Sequence, residues 1–142
     1  MGNGRLKSAV LDAGPIIHLS EIGCIQFLQI FDTVYVPNAV YSETAEEADF
    51  WNFDASGLMN IHRQALSQDH IERYIRENDL DKLHAGETEC LYLCHEKGIS
   101  ILLTHDLAVR ETAKRLKITP VGSVGIISQR GQSYTFDKIS AI

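Results

Sequence analysis

Apolar residues follow two rhythms along the chain. Short apolar or β-branched runs at Leu6 to Leu11, Thr33 to Val36 and Ile99 to Leu103 alternate with stretches whose apolar residues recur at helical spacing. The first run ends in Asp12-Ala13-Gly14-Pro15, where the aspartate can cap a helix and the proline can occupy its first turn. Ile16, Ile17 and Leu19, then Ile22, Ile25, Phe27, Leu28 and Ile30, keep helical spacing across a break at Gly23. That pattern predicts two short helices or one interrupted helix. Thr33 to Val36 stops at Pro37 and leads into Asn38 to Asp49, rich in Ala and Glu, which predicts a strand and then a helix. Trp51 to Gly57 reads as a loop, Leu58 to His62 as a short strand and Asp69 to Glu77 as an exposed helix. Ala85 to Lys97 is an amphipathic helix with Cys90, Leu91, Leu93 and Cys94 on or near its buried side, and Gly98 supplies a left-handed stop. The near-continuous apolar run Ile99 to Leu103 suits a strand covered on both faces. Thr104-His105-Asp106 then opens a helix from Leu107 to Lys117, and Val121 to Gln129 predicts a final short helix. Strands alternating with helices imply an α/β domain with a mainly parallel sheet.

Length and composition narrow this picture. With 142 residues, 44% of them hydrophobic, one sizeable core is expected and two ordinary domains are not, so residues 1–142 are read as a single domain. No apolar stretch approaches the roughly 18 residues that span a membrane. A cytoplasmic protein without a membrane partner is the expectation. The three cysteines are an odd number, and Cys90 and Cys94 share a helix face rather than forming a zinc knuckle, so reduced core thiols are expected. Six histidines without a His-x-x-x-His or Glu-x-x-His pattern argue against a zinc or di-iron site.

The candidate chemistry lies where strands run into helices. Ligands of open parallel sheets gather beyond the carboxyl ends of the strands. Asp12 directly follows the first strand, and Asp106 lies just after Ile99 to Leu103. Glu43, in the helix after the second strand, and Glu87, in the first turn of its helix, are placed to point into the same cleft. Hard cations such as Mg²⁺ prefer oxygen ligands, and clustered like charges are costly unless a cation or proton compensates them. Four converging carboxylates would therefore imply a metal, and the matching chemistry is metal-assisted phosphodiester hydrolysis. Each residue also has a plainer reading: Asp12 and Asp106 as helix caps, Glu87 at the positive end of a helix, Glu43 in solvent. A formal net charge of −6 argues against a nucleic-acid partner only superficially, because Arg110, Lys114, Arg115, Lys117 and Arg130 crowd one region. Arg110, Lys114 and Lys117, at i, i+4 and i+7, would form a phosphate-steering stripe or simply a solvated face. His18 is read as structural or capping.

At these same positions the chain resembles the PIN-domain ribonucleases, which include the toxin halves of many prokaryotic toxin–antitoxin pairs. Val10-Leu11-Asp12-Ala13-Gly14-Pro15-Ile16-Ile17 resembles the family's opening strand and first aspartate, and Val36-Pro37-Asn38-Ala39-Val40-Tyr41-Ser42-Glu43 its second motif. Gly86-Glu87-Thr88-Glu89-Cys90 resembles the Gly-Glu-Ala-Glu-Ala third motif, and Leu102-Leu103-Thr104-His105-Asp106 the fourth. Ala108-Val109-Arg110 and Gly122-Ser123-Val124-Gly125-Ile126-Ile127 look like segments of one bacterial and archaeal subgroup. The resemblance implies a three-layer α/β/α fold and an RNA-cleaving site. It implies Asp12, Glu43, Glu87 and Asp106 as catalytic ligands of Mg²⁺ or Mn²⁺, Thr104 as their support, a homodimer, and an antitoxin covering the cleft. Two supporting positions depart from or compete with the pattern: His105 stands where many members carry a second aspartate, and Glu89 competes with Glu87 for the third acidic position. Glu87 ranks first because of its distance from the helix end at Gly98.

Rival functions fare worse. A receiver-like signalling domain needs an acidic pair where the chain has a lone Asp12; an Asp-x-Asp phosphatase fails at Gly14; and no phosphate-binding glycine loop is present. The surviving alternative is a PIN-like module that binds RNA or protein without cleaving anything.

Overall fold

The computed structural model describes residues 7–52 and 60–129. Five strands, β1 (Ala9–Leu11), β2 (Val34–Pro37), β3 (Ile61–Gln64), β4 (Ile101–Leu103) and β5 (Thr119–Val121), form one sheet in the order β3-β2-β1-β4-β5. Every neighbouring pair is parallel. The helices are α1 (Ala13–Glu21), α2 (Asn38–Thr44), α3 (Ala48–Trp51), α4 (Gln68–Asn78), α5 (Ala85–Lys97), α6 (Leu107–Arg115) and α7 (Ser123–Gln129), with a 3-10 turn at Ile25–Ile30. The arrangement is the expected three-layer α/β/α architecture with its parallel sheet in the middle.

The burial pattern follows from that layering. Every residue of β1 and β4 is buried, because helices cover both faces of the central strands. Edge strand β3 buries Ile61 and exposes His62 and Arg63. In α5 every residue from Thr88 to Cys94 is buried, so this helix lies deeper than its two-sided sequence pattern suggests. Cys90 and Cys94 are free thiols in this core, as expected, and burial pushes the Cys94 thiol up to about 12.

Several boundaries differ from the sequence reading, each for a local reason. The expected helix Asn38 to Asp49 stops at Thr44 and restarts as α3. There the Thr44 carbonyl accepts from the Glu47 amide and from the Trp51 indole, which ends the regular ladder. Trp51 accordingly belongs to a helix rather than to the expected loop, the rest of which lies mostly outside the described residues. The strand expected over Leu58 to His62 is β3 at Ile61–Gln64. β5 was not expected at all: it has three residues, one of them Pro120, and survives because an edge strand tolerates a missing amide donor. The last long helix ends at Arg115 rather than Lys117, which adopts φ of 65° beyond it. Lys117 therefore leaves the stripe proposed with Arg110 and Lys114, because a left-handed residue cannot continue the helix face.

This topology places the site. The chain builds β1, β2 and β3 outward in one direction, then crosses back to lay β4 on the other side of β1. Loops after β1 and β4 therefore diverge over the sheet and leave a crevice between them, the position where open parallel sheets bind ligands.

Candidate active site

Asp12 and Thr104 stand at the floor of that crevice. The Asp12 amide donates to the Leu103 carbonyl at 2.9 Å, extending the β1–β4 pairing past the strand ends. Asp12 caps α1, one carboxylate oxygen accepting from the Ala13 amide at 2.8 Å, and its other oxygen accepts from the buried Thr104 hydroxyl at 3.0 Å. Thr104 Oγ1 in turn accepts from the Asp106 amide at 3.3 Å. Asp106 caps α6 through the Val109 amide at 3.1 Å, and Glu87 reaches back from the first turn of α5 to the His84 amide at 2.9 Å. Glu43 comes from α2 and is exposed. A cleft of about 610 Å³ is lined by Asp12, Gly14, Glu43, His84, Glu87, Thr104, His105 and Asp106. All four acidic residues singled out in the sequence share it.

Burial, and then mutual repulsion, raise the affinity of Asp12, Glu43 and Glu87 for protons. Burial pushes the Asp12 carboxyl above the ordinary carboxylate range, hydrogen bonds from Ala13 and Thr104 pull it partly back, and the Asp106 charge pushes it up again. Glu87 is raised by burial first, then by the charges of Asp106 and Asp12. Glu43 is raised by its partial burial against the cleft wall and then by Asp12. Such mutual repulsion is what a bound cation would relieve. Among the described residues, however, no three acidic, histidine or cysteine side chains stand close enough together to hold an ion between them. Asp12, Glu87 and Asp106 each commit one oxygen to a backbone amide of their own helix end. The donor set itself, all carboxylate oxygen, fits a hard divalent cation.

His105 is tied to the start of α7. Its Nε2 accepts from the Ser123 amide at 3.1 Å and lies 2.6 Å from the Ser123 hydroxyl. A backbone amide can only donate, so that nitrogen carries no proton and the ring is neutral. Burial, then the neighbouring His18 and Arg110, depress its pKa accordingly. The ring lies between Gly14 and Gly122, at which an added Cβ would stand 3.4 and 3.5 Å from it. His18 packs edge-on against it at 5.2 Å, consistent with a structural role.

The remaining candidates separate by position. Arg110 donates to the Thr104 carbonyl at 3.4 Å beside the cleft, Lys114 is exposed farther along α6, and Lys117 lines a hollow with Tyr74 and Glu77 elsewhere on the surface. Glu89 is buried and accepts from the Ala39 amide at 3.1 Å, so it does not line the cleft. His84 and Ser123 were missed by sequence reading. His84 holds Glu87 through its backbone amide, which no side-chain motif announces, and Ser123 meets His105 through both its amide and its hydroxyl.

Residues 8–142 match the model of a family, DUF3368, described as a PIN domain. Among solved structures the chain is similar to a PilT N-terminus domain protein, SSO1118, from the hyperthermophilic archaeon Sulfolobus solfataricus P2. That similarity has a TM-score of 0.65 at 15% identity, over 90% of this chain and 97% of that one. It is also similar to PAE2754 from Pyrobaculum aerophilum, with a TM-score of 0.55 at 14% identity, over 89% of this chain and all of that one. At such identities the likeness speaks for the fold. No curated protein matches the chain. The family match over nearly the whole chain and the agreement in fold make this protein a member of the PIN-domain family, a family of nuclease type.

Proposed function

We propose that the chain is a metal-dependent endoribonuclease with Asp12, Glu43, Glu87 and Asp106 as its catalytic carboxylates. The observation that carries this reading is the shared cleft: four acidic side chains from four separate segments of the chain line one crevice at the sheet's switch point, with Asp12 buried among them. Asp12 and Asp106 would hold the principal Mg²⁺ or Mn²⁺, with Glu43 and Glu87 completing the site. When bound, such an ion lowers the pKa of a coordinated water and offsets charge on the phosphate. The chain's own contribution is orientation. Thr104 ties Asp12 to the Asp106 backbone, so the two aspartates from distant segments keep a fixed relation. Arg110, held by the Thr104 carbonyl, is placed to meet a phosphate entering beside Asp106. Lys114 adds charge along the same helix.

The family resemblance further supports RNA as substrate, a homodimer, an antitoxin partner and a cytoplasmic toxin role. A second reading, an inert RNA- or protein-binding module, is favoured by one observation: three of the four carboxylates are engaged as helix caps. Incubating purified protein with mixed-sequence RNA, with Mn²⁺ or with chelator, separates the two. The nuclease reading expects cleavage that requires metal and falls at least a hundredfold in Asp12→Asn. A folded protein that neither cleaves RNA nor binds Mn²⁺ would move the assignment to the module.

A further inference from the structure

The Gly86-Glu87-Thr88-Glu89 segment does more than supply Glu87. α5 packs against α2, and an added Cβ at Gly86 would collide with the Glu43 carboxylate and stand 3.4 Å from Val40 Cγ2. Three residues further along the same helix, the buried Glu89 accepts from the Ala39 amide in the first turn of α2. That turn needs an acceptor, because its own cap residue, Pro37, offers no side-chain hydrogen bond. Gly86 and Glu89 thus grip both ends of the turn of α2 that leads to Glu43: one clears space for the carboxylate, the other fixes the helix that carries it. Residues three apart share a helix face, so both act on α2 at once.

We infer that Gly86 and Glu89 are positioning residues that seat Glu43 at the acidic cleft, a role that rests on the metal-site reading above for its catalytic meaning. The spacing of the motif then has a physical explanation. Its glycine and second glutamate serve α2, and only its first glutamate serves the cleft directly.

Gly86→Ala is the informative variant, because at the second position of α5 alanine is no worse a helix former than glycine. A merely structural change there would leave the thermal midpoint unchanged or raised with metal affinity intact. The seat instead predicts displacement of the Glu43 carboxylate in a crystal structure and at least tenfold weaker Mn²⁺ binding by calorimetry, without loss of thermal stability. The loss should vanish when Gly86→Ala is made on a Glu43→Ala background, since the displaced group is then absent. Glu89→Gln, which keeps an acceptor for the Ala39 amide, should bind Mn²⁺ like the parent. Glu89→Ala should weaken binding and speed hydrogen exchange at the Ala39 amide. A Glu43 carboxylate unmoved by Gly86→Ala, or an equal loss on both backgrounds, overturns the inference. If Glu43 moves but the parent protein binds no Mn²⁺, the metal reading fails and the catalytic role assigned to the seat fails with it, while the packing relation itself is confirmed.

Discussion

At the scale of single residues, the site is a place where helix capping and charge repulsion compete. Asp12 is a good cap and a poorly placed charge at once: the Ala13 and Thr104 hydrogen bonds favour its ionised form, and burial and Asp106 oppose it more strongly. Asn caps about as well as Asp, so Asp12→Asn removes the repulsion and keeps the cap. Thermal melting of the metal-free variant should therefore show a midpoint no lower than the parent's, while RNA cleavage is lost. Thr104→Val removes the hydroxyl that joins Asp12 to the Asp106 amide, and urea unfolding should register a loss of about 1–3 kcal/mol from the buried groups left without partners. The signs of the pH effects follow from the same groups. Asp12, Glu43 and Glu87 are raised in the fold, so they take up protons more readily folded than unfolded, and their contribution favours the fold increasingly as pH falls from neutrality toward ordinary carboxylate values. His105 is lowered from 6.5, so its contribution is complete above that value and is lost as pH falls through its depressed folded-state pKa. Stability measured from pH 7 to 5 should gain less on acidification in Asp12→Asn than in the parent. An equal gain in the two proteins would refute the assigned repulsion.

At the scale of elements, legibility tracks how much of an element's signal is local. Helix α5 was readable to both ends, Ala85 and Lys97, because its stop is a glycine at φ of 65° and a left-handed stop is written in the residue itself. Gly98→Ala should accordingly cost about 1 kcal/mol in chemical denaturation. β5 was unreadable for the opposite reason. Thr119-Pro120-Val121 has no strand signal of its own and becomes a strand only because β4 offers a partner edge, pairing Leu102 with Pro120. The break between α2 and α3 is equally nonlocal, since it depends on where the Trp51 indole lands. Depth within the layers was also hidden. Leu93 looked like one of several apolar positions on an amphipathic helix, and it is fully buried; Leu93→Ala should cost roughly 2–5 kcal/mol by denaturant unfolding.

For the whole molecule, metal binding and stability should be linked. An ion held by the folded cleft and by no site in the unfolded chain raises stability by about 2.7 kcal/mol at a hundred times its dissociation constant. Thermal melts with and without Mn²⁺ should show that gain in the parent and not in Asp12→Asn. Equal melting curves for the parent with and without the ion would remove the metal from the proposed function. Among the described residues no helix is long and apolar enough to cross a membrane.

The amino-acid sequence alone specified the alternation of strand and helix, the parallel sheet and the acidic residues that end up in one cleft, because hydrophobic period, caps and strand-end aspartates are properties of neighbouring residues. The tertiary structure decided which groups act together. Only the crossing from β3 back to β4 brings Asp12 beside Thr104, and only the packing of α5 on α2 sets Glu89 on Ala39 and Gly86 against Glu43. Those outcomes depend on distances between residues far apart in the chain, and no local pattern encodes them.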